Sequence, residues 1–146
     1  MTVSKVLFSS KSDEWATPPE LFEALNNEFD FTLDVCATEK NHKCKRYFTQ
    51  ADNGLSQKWG GERCFCNPPY SEIAAWVKKA YLESSAPKTV IVLLIPARTD
   101  TRYFHEYILH RAEVRFIKGR LKFGEATNSA PFPSMIVIYR AGGITT

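Results

Sequence analysis

Apolar positions along the chain alternate between helical and strand-like spacing. Leu21, Phe22 and Leu25 form a helical stripe, which predicts a helix from Pro18 to about Glu28. Thr17 reads as its N-cap, Pro18 as its first residue and Glu20 as the far half of a capping box. Phe31, Leu33 and Val35 alternate, predicting a strand over Phe31–Cys36 with all three on one face. Arg63–Cys66 predicts a second strand, with Cys64 and Cys66 projecting together. A helix beginning at Ser71 carries Ile73, Trp76, Val77, Ala80 and Tyr81 on one face and stops at Pro87. Thr89–Ile95 is continuously apolar, as a parallel strand buried on both faces is. A third helix is expected over Thr101–His110 and a strand over Val114–Ile117. Lys118–Gly124 reads as another strand or hairpin arm, Glu125–Ser134 as a loop and Met135–Tyr139 as a closing strand. Glu39–Gln50 is irregular, with room for a short strand at Tyr47-Phe48, and Ala51–Gly54 and Trp59–Gly61 read as turns. The sum is an α/β three-layer sheet, mostly parallel with an antiparallel element at one edge. It forms one compact domain over residues 13–146, behind a flexible N-terminal segment, 1–12.

Composition changes this picture little. The chain has 146 residues, enough to bury a core. No apolar run is long enough for a membrane span, and Val6-Leu7-Phe8 is too short for a secretory signal. The expected compartment is the cytoplasm. The cysteines Cys36, Cys44, Cys64 and Cys66 lack a C-x-x-C pair. They read as small buried hydrophobes, and no metal is expected.

Charge adds more. The net charge is only +3, but Arg98–Lys122 holds seven basic residues against three acidic ones. That excess of four (7 − 3) exceeds the excess of the whole chain. A basic stretch with interleaved aromatics suits a phosphate backbone, although a solvated helical face has the same composition.

The stretch with most chemistry is Asn67-Pro68-Pro69-Tyr70. Two prolines exclude a helix interior and a central strand, and they hold the residue before them extended. The four residues therefore form a rigid turn between the Arg63–Cys66 strand and the next helix. In open α/β sheets the carboxyl ends of strands are where ligands sit. Asp34 ends the first strand, where it suits ligand hydroxyls or an amino group, or serves as a turn residue. Trp15 suits either a staple against the first helix or a pocket wall. No G-x-G follows the first strand, which argues against a dinucleotide site.

These stretches together, Trp15…Thr17-Pro18-Pro19-Glu20, Leu33-Asp34-Val35-Cys36-Ala37, Ala51-Asp52, Asn67-Pro68-Pro69-Tyr70 and Arg120-Leu121-Lys122-Phe123, resemble those of S-adenosylmethionine-dependent amino-methyltransferases. With Pro96–Arg102 and Ala130–Ser134 added, the chain is similar to the phage-encoded DNA N6-adenine methyltransferase (Dam-type) family over about Asp13–Arg140. The resemblance implies a Rossmann-like methyltransferase sheet, S-adenosylmethionine as cofactor and a flipped-out adenine of double-stranded DNA as substrate. A phage origin would place the protein in the cytoplasm of the bacterial host. The implied catalytic residues are Asn67, Pro68, Pro69 and Tyr70. Trp15, Thr17, Pro18, Asp34, Ala37, Asp52 and Asn67 would bind cofactor. Tyr70, Phe123, Arg98, Arg102, Arg120 and Lys122 would bind DNA. The family's glycine-rich loop is absent, and no acid for the cofactor ribose stands out, Glu39 being poorly placed. No separate recognition domain is visible, which leaves DNA specificity to loops or to a second copy of the chain in a homodimer. The same chemistry on RNA or a protein glutamine, and a silent module that binds without turnover, are the competing readings.

Overall fold

The middle of the molecule is the apolar run seen in the sequence, now the strand β3 (Val90–Pro96). The computed structural model describes residues 16–123 and 129–143. Ile91, Val92, Leu93, Leu94 and Ile95 are all fully buried. Burial of each such side chain contributes roughly 1.5–3 kcal/mol. Their alternation divides the core. Ile91, Leu93 and Ile95 pack on one side of the sheet, and Val92 and Leu94 on the other.

Around β3 lie β1 (Leu33–Asp34), β2 (Arg63–Cys66), β4 (Glu113–Phe116) and β5 (Ser134–Arg140), in the order β1-β2-β3-β5-β4. β1, β2 and β3 pair in parallel. β5 is antiparallel to both β3 and β4. Four strands therefore point one way and only β5 is reversed. The antiparallel β5–β4 pair occupies one edge of the sheet, in keeping with the antiparallel element expected there, and within it the reversed strand sits one in from the edge that β4 forms. The carboxyl ends of β1, β2, β3 and β4 and the start of β5 share one rim.

Helices cover both faces. α1 (Pro19–Phe29) packs Leu25 and Phe29 with Phe31, Phe65, Val92 and Leu94. Phe22 from the same helix meets Phe65 edge-on at 5.1 Å and Phe31 at 5.7 Å. α2 (Ile73–Glu83) packs Ile73, Trp76, Val77 and Ala80 on the opposite face, with Cys64, Cys66 and Ile91. The sequence periodicity named all four of these α2 residues. A π-helical turn, Phe104–Ile108, stands where a third α-helix was expected, and its wider turn is closed by Leu109 N–H on the Phe104 carbonyl at 2.8 Å.

Several further local expectations are corrected. α1 starts one residue late: Pro18 is its cap, with no side-chain hydrogen bond, and Pro19 opens the helix. Thr17 is therefore no N-cap. Its hydroxyl has a partner elsewhere, and Pro19 lacks the N–H that a cap would otherwise help satisfy. Phe31 does not share a face with Leu33 and Val35, because it lies before β1 and turns into the cluster under α1. Lys118–Phe123 forms no strand, and a backbone bond from Ala130 N–H to the Leu121 carbonyl ties it down. Gly124 lies outside the described residues. Tyr47 makes one parallel bridge to Asp34 in place of a short strand. Among the described residues no helix is long and apolar enough to cross a membrane.

Candidate active site

At the rim, β1 and β2 deliver Asp34 and Asn67 to the same cavity, of about 680 Å³. That volume lies in the range of small-molecule sites. Its wall includes Ala16, Thr17, Asp34, Ala37, Lys43 and Asn67, together with Phe48, Thr49, Gln50, Asn53, Gly54 and Glu72. Of the residues implied for a cofactor, Thr17, Asp34, Ala37 and Asn67 are thus brought together. Pro18 is half-buried and adjoins the wall. Trp15 lies outside the described residues, and its neighbour Ala16 is in the wall.

Asn67 directly follows β2, where Pro68 and Pro69 keep the chain out of the sheet and delay α2 until Ile73. The Asn67 Nδ2 donates to the Thr17 hydroxyl at 3.0 Å. This bond across fifty positions orients the amide, so that its carbonyl oxygen lies on the edge away from Thr17. Thr17 itself is buried. Thr17, two residues before α1, is thereby a support for Asn67.

Asp34 is 3% exposed. Its carboxylate accepts the backbone N–H of Lys43 at 2.9 Å and that of Cys36 at 3.3 Å. Burial pushes its pKa up from 3.8 to about 6, against the opposing pull of those N–H groups and the charges of Lys43 and His42. The folded state thus holds this proton more tightly than the unfolded chain does. Asp34 accordingly makes the ligand-free protein less stable as pH rises from about 4 to about 6, by up to about 3 kcal/mol. The difference in unfolding free energy between wild type and Asp34→Asn, measured from pH 4.5 to 7.5, should shift in favour of Asn as pH rises. A pH-independent difference would contradict this reading.

The Gly54 part of the wall is clamped to the end of β1. A Cβ on Gly54 would lie 2.2 Å from the Val35 carbonyl oxygen and 2.9 Å from the Trp76 ring. The Trp59 indole N–H donates to the Gly54 carbonyl at 2.9 Å. Asp52 is exposed and outside the wall. Its carboxylate accepts the N–H and hydroxyl of Thr49, at 2.8 and 3.1 Å. It closes the turn that sets Asn53 against the cavity. Thr49, Gln50 and Asn53 were missed in the sequence because nothing local marks a turn residue as part of a wall.

On the other side of the Asn67 turn, Tyr70 meets Phe132 at 5.2 Å and Phe123 at 6.4 Å, both edge-on. Burial pushes the Tyr70 hydroxyl well above its ordinary pKa, so it stays neutral. Phe123 was read from the sequence and Phe132 was not. The basic stretch divides. Arg102 pairs with Glu106, and Arg115 with Glu28 and Glu113. Arg98, Lys118, Arg120 and Lys122 are exposed and make no ion pair among the described residues. Arg98 follows β3 and the other three follow β4, so all four lie beyond the carboxyl ends of strands, on the rim of the sheet where Asp34 and Asn67 also lie, and none lines the cavity itself.

The cysteines are free thiols, and Cys64 and Cys66 are buried. Burial raises the pKa of Cys44 to about 12 and pushes those of Cys64 and Cys66 well up. Among the described residues, no group of three or more His, Cys, Asp or Glu side chains is clustered for a metal ion.

Fold and site define an α/β protein with a polar ligand cavity where its parallel strands end, beside an aromatic cluster and a basic rim. Comparison with known proteins gives the family. A profile of the family "DNA N-6-adenine-methyltransferase (Dam)" matches residues 4–143. The chain is 33% identical over 147 residues to the DNA N-6-adenine-methyltransferase of Haemophilus phage HP1 (strain HP1c1), which covers 95% of this chain and 84% of that protein. It is 34% identical over 111 residues to the DNA N-6-adenine-methyltransferase of Escherichia phage T1, covering 75% of this chain and 46% of the phage T1 protein. The chain belongs to the DNA N-6-adenine-methyltransferase (Dam) family.

Proposed function

We propose that the protein transfers a methyl group from S-adenosylmethionine to the exocyclic N6 amine of an adenine turned out of double-stranded DNA. The observation that carries this is the position of Asn67. It stands in the cavity wall, oriented by Thr17, and Tyr70 of the same turn packs edge-on against Phe123 and Phe132. The cavity fits the cofactor in volume and in its donor set, with the buried Asp34 carboxylate, the exposed Glu72 carboxylate, one lysine and several neutral polar groups in the wall. The single reversed strand beside the edge supports a Rossmann-like methyltransferase sheet.

When bound, S-adenosylmethionine supplies a methyl group already activated on a sulfonium. The chain's part is placement and electrostatics. The lone pair of an adenine amine is delocalised into the ring. The Asn67 carbonyl oxygen and the Pro68 backbone carbonyl accept the two N6 hydrogens, which pulls the nitrogen towards sp³ and frees that pair. Proline suits the second position because its backbone offers only an acceptor. Pro69 keeps the turn rigid. Tyr70 stacks on the base, and Phe123 and Phe132 set the Tyr70 ring plane. A paired base hides its amine, so the target is turned out of the duplex. Thr17, Pro18, Asp34, Ala37 and Asn67, with Trp15 next to Ala16, hold the cofactor. Asp52 shapes the wall beside it.

Arg98, Arg120 and Lys122, joined by Lys118, contact phosphates along the rim. Arg102, already paired with Glu106, contributes less. The protein works in the cytoplasm of the bacterial host, where its DNA substrate lies.

The test is to offer the protein methyl-labelled S-adenosylmethionine with unmethylated DNA, RNA or a protein extract. Label should enter DNA alone. Label in RNA or protein only would overturn the substrate, and binding without transfer to any of them would leave a silent module.

A further inference from the structure

Asp34 and Lys43 bring opposite charges to the same cavity wall. They stand side by side because the Lys43 backbone N–H is bonded to the Asp34 carboxylate at 2.9 Å. Yet their side chains form no ion pair among the described residues, where seven others are found. The lysine side chain runs instead to α1, and its Nζ lies 6.0 Å from the Phe22 ring centre. That cation–π contact draws the ammonium towards α1 and leaves it unpaired with the carboxylate, which still feels its charge. Phe22 belongs to the first turn of α1, its N–H bonded to the Pro18 carbonyl, directly after Thr17. The two charges therefore flank the part of the cavity that Thr17 and Asn67 bound.

Two adjacent opposite charges, held apart, form a receptor for a zwitterion. A free amino-acid group carries an ammonium and a carboxylate on one carbon. Its ammonium matches Asp34, whose carboxylate accepts two backbone N–H groups and has acceptor sites to spare. Its carboxylate matches Lys43. Direct contact between the two side chains would have satisfied each charge internally and left a ligand little to gain. We propose that Asp34 and Lys43 together read the zwitterionic amino-acid end of the methyl donor, with Lys43 selecting for its α-carboxylate. The inference rests on the methyl-donor reading given above. Without a glycine-rich loop after β1, this charged end carries more of the donor's binding.

Direct binding tests it, with no DNA and no turnover. Calorimetry with S-adenosylmethionine and with decarboxylated S-adenosylmethionine isolates the carboxylate. Wild type should prefer the intact donor by about tenfold or more, as a charge-assisted contact warrants. Lys43→Met keeps an unbranched stem over Phe22 but no charge, and should bind the two ligands within about twofold of each other, the size expected for a charge-independent difference. Equal binding of both ligands by wild type would overturn the role of Lys43. A preference retained by Lys43→Met would overturn it as well. Binding of neither ligand by wild type would remove the methyl-donor reading itself, and this inference with it.

Discussion

Replacing Asn67 by alanine should lower methyl transfer to DNA by a factor of about 10²–10³, the usual cost of removing one preorganised group from a polar active site. Asn67 and Pro68 are proposed to hold the two hydrogens of one amine, so the pair acts as a unit and neither acceptor is effective alone. The structure gives a reason to expect a loss of rate more than of fold. The Asn67 amide is bonded to the Thr17 hydroxyl, in a half-buried position at the rim. Losing that bond costs about 1 kcal/mol. Single-turnover methylation and thermal unfolding, measured together on Asn67→Ala, separate the two effects. Activity within a few-fold of wild type would remove the mechanism. Thr17→Val probes the same amide from its support. It should lower the rate by a smaller factor, because it loosens the Asn67 orientation and leaves the acceptor present.

Gly54→Ala should destabilise the protein by about 3 kcal/mol and empty the cavity of ligand affinity, an overpacking effect at the upper end of its usual range. The reason is steric and local. The added carbon would approach the Val35 carbonyl oxygen to 2.2 Å, far inside contact distance, and the Trp76 ring to 2.9 Å. Neither neighbour yields easily. Val35 is fully buried at the end of β1, and Trp76 is buried in α2 with its ring 5.9 Å from that of Trp59. The strain would push the Thr49–Asn53 wall away from Asp34 and Asn67. Chemical denaturation and donor binding check both parts. A stable variant with normal donor binding would show that this wall is not part of the site.

The sequence disclosed what depends on local repetition. Continuous apolar residues named β3, the alternation of Cys64 and Cys66 gave β2 its buried face, and helical spacing named the α2 face. The rigid Asn67–Tyr70 turn was legible because two prolines dictate it wherever they fall. What escaped was set by contacts between distant positions. Thr17 has the local signature of a cap, but its hydroxyl serves an amide fifty residues away. Lys43 gained its place from a backbone bond to Asp34, nine positions back. Gly54 matters because β1 passes over it, and no local pattern marks such an approach. Phe31 broke its own alternation because the cluster under α1 offered it a better packed site. The reversed strand was foreseen, but its insertion between β3 and β4 is a matter of sheet order that periodicity does not encode.

The central claim concerns one nitrogen. The same two acceptors would also fit the exocyclic amine of cytosine, so the base itself must be identified. DNA labelled by the protein and digested to nucleosides, then separated by mass, gives the answer in one measurement. The label should lie entirely in N6-methyldeoxyadenosine. Label in N4-methyldeoxycytidine, or in any nucleoside other than N6-methyldeoxyadenosine, would contradict the account.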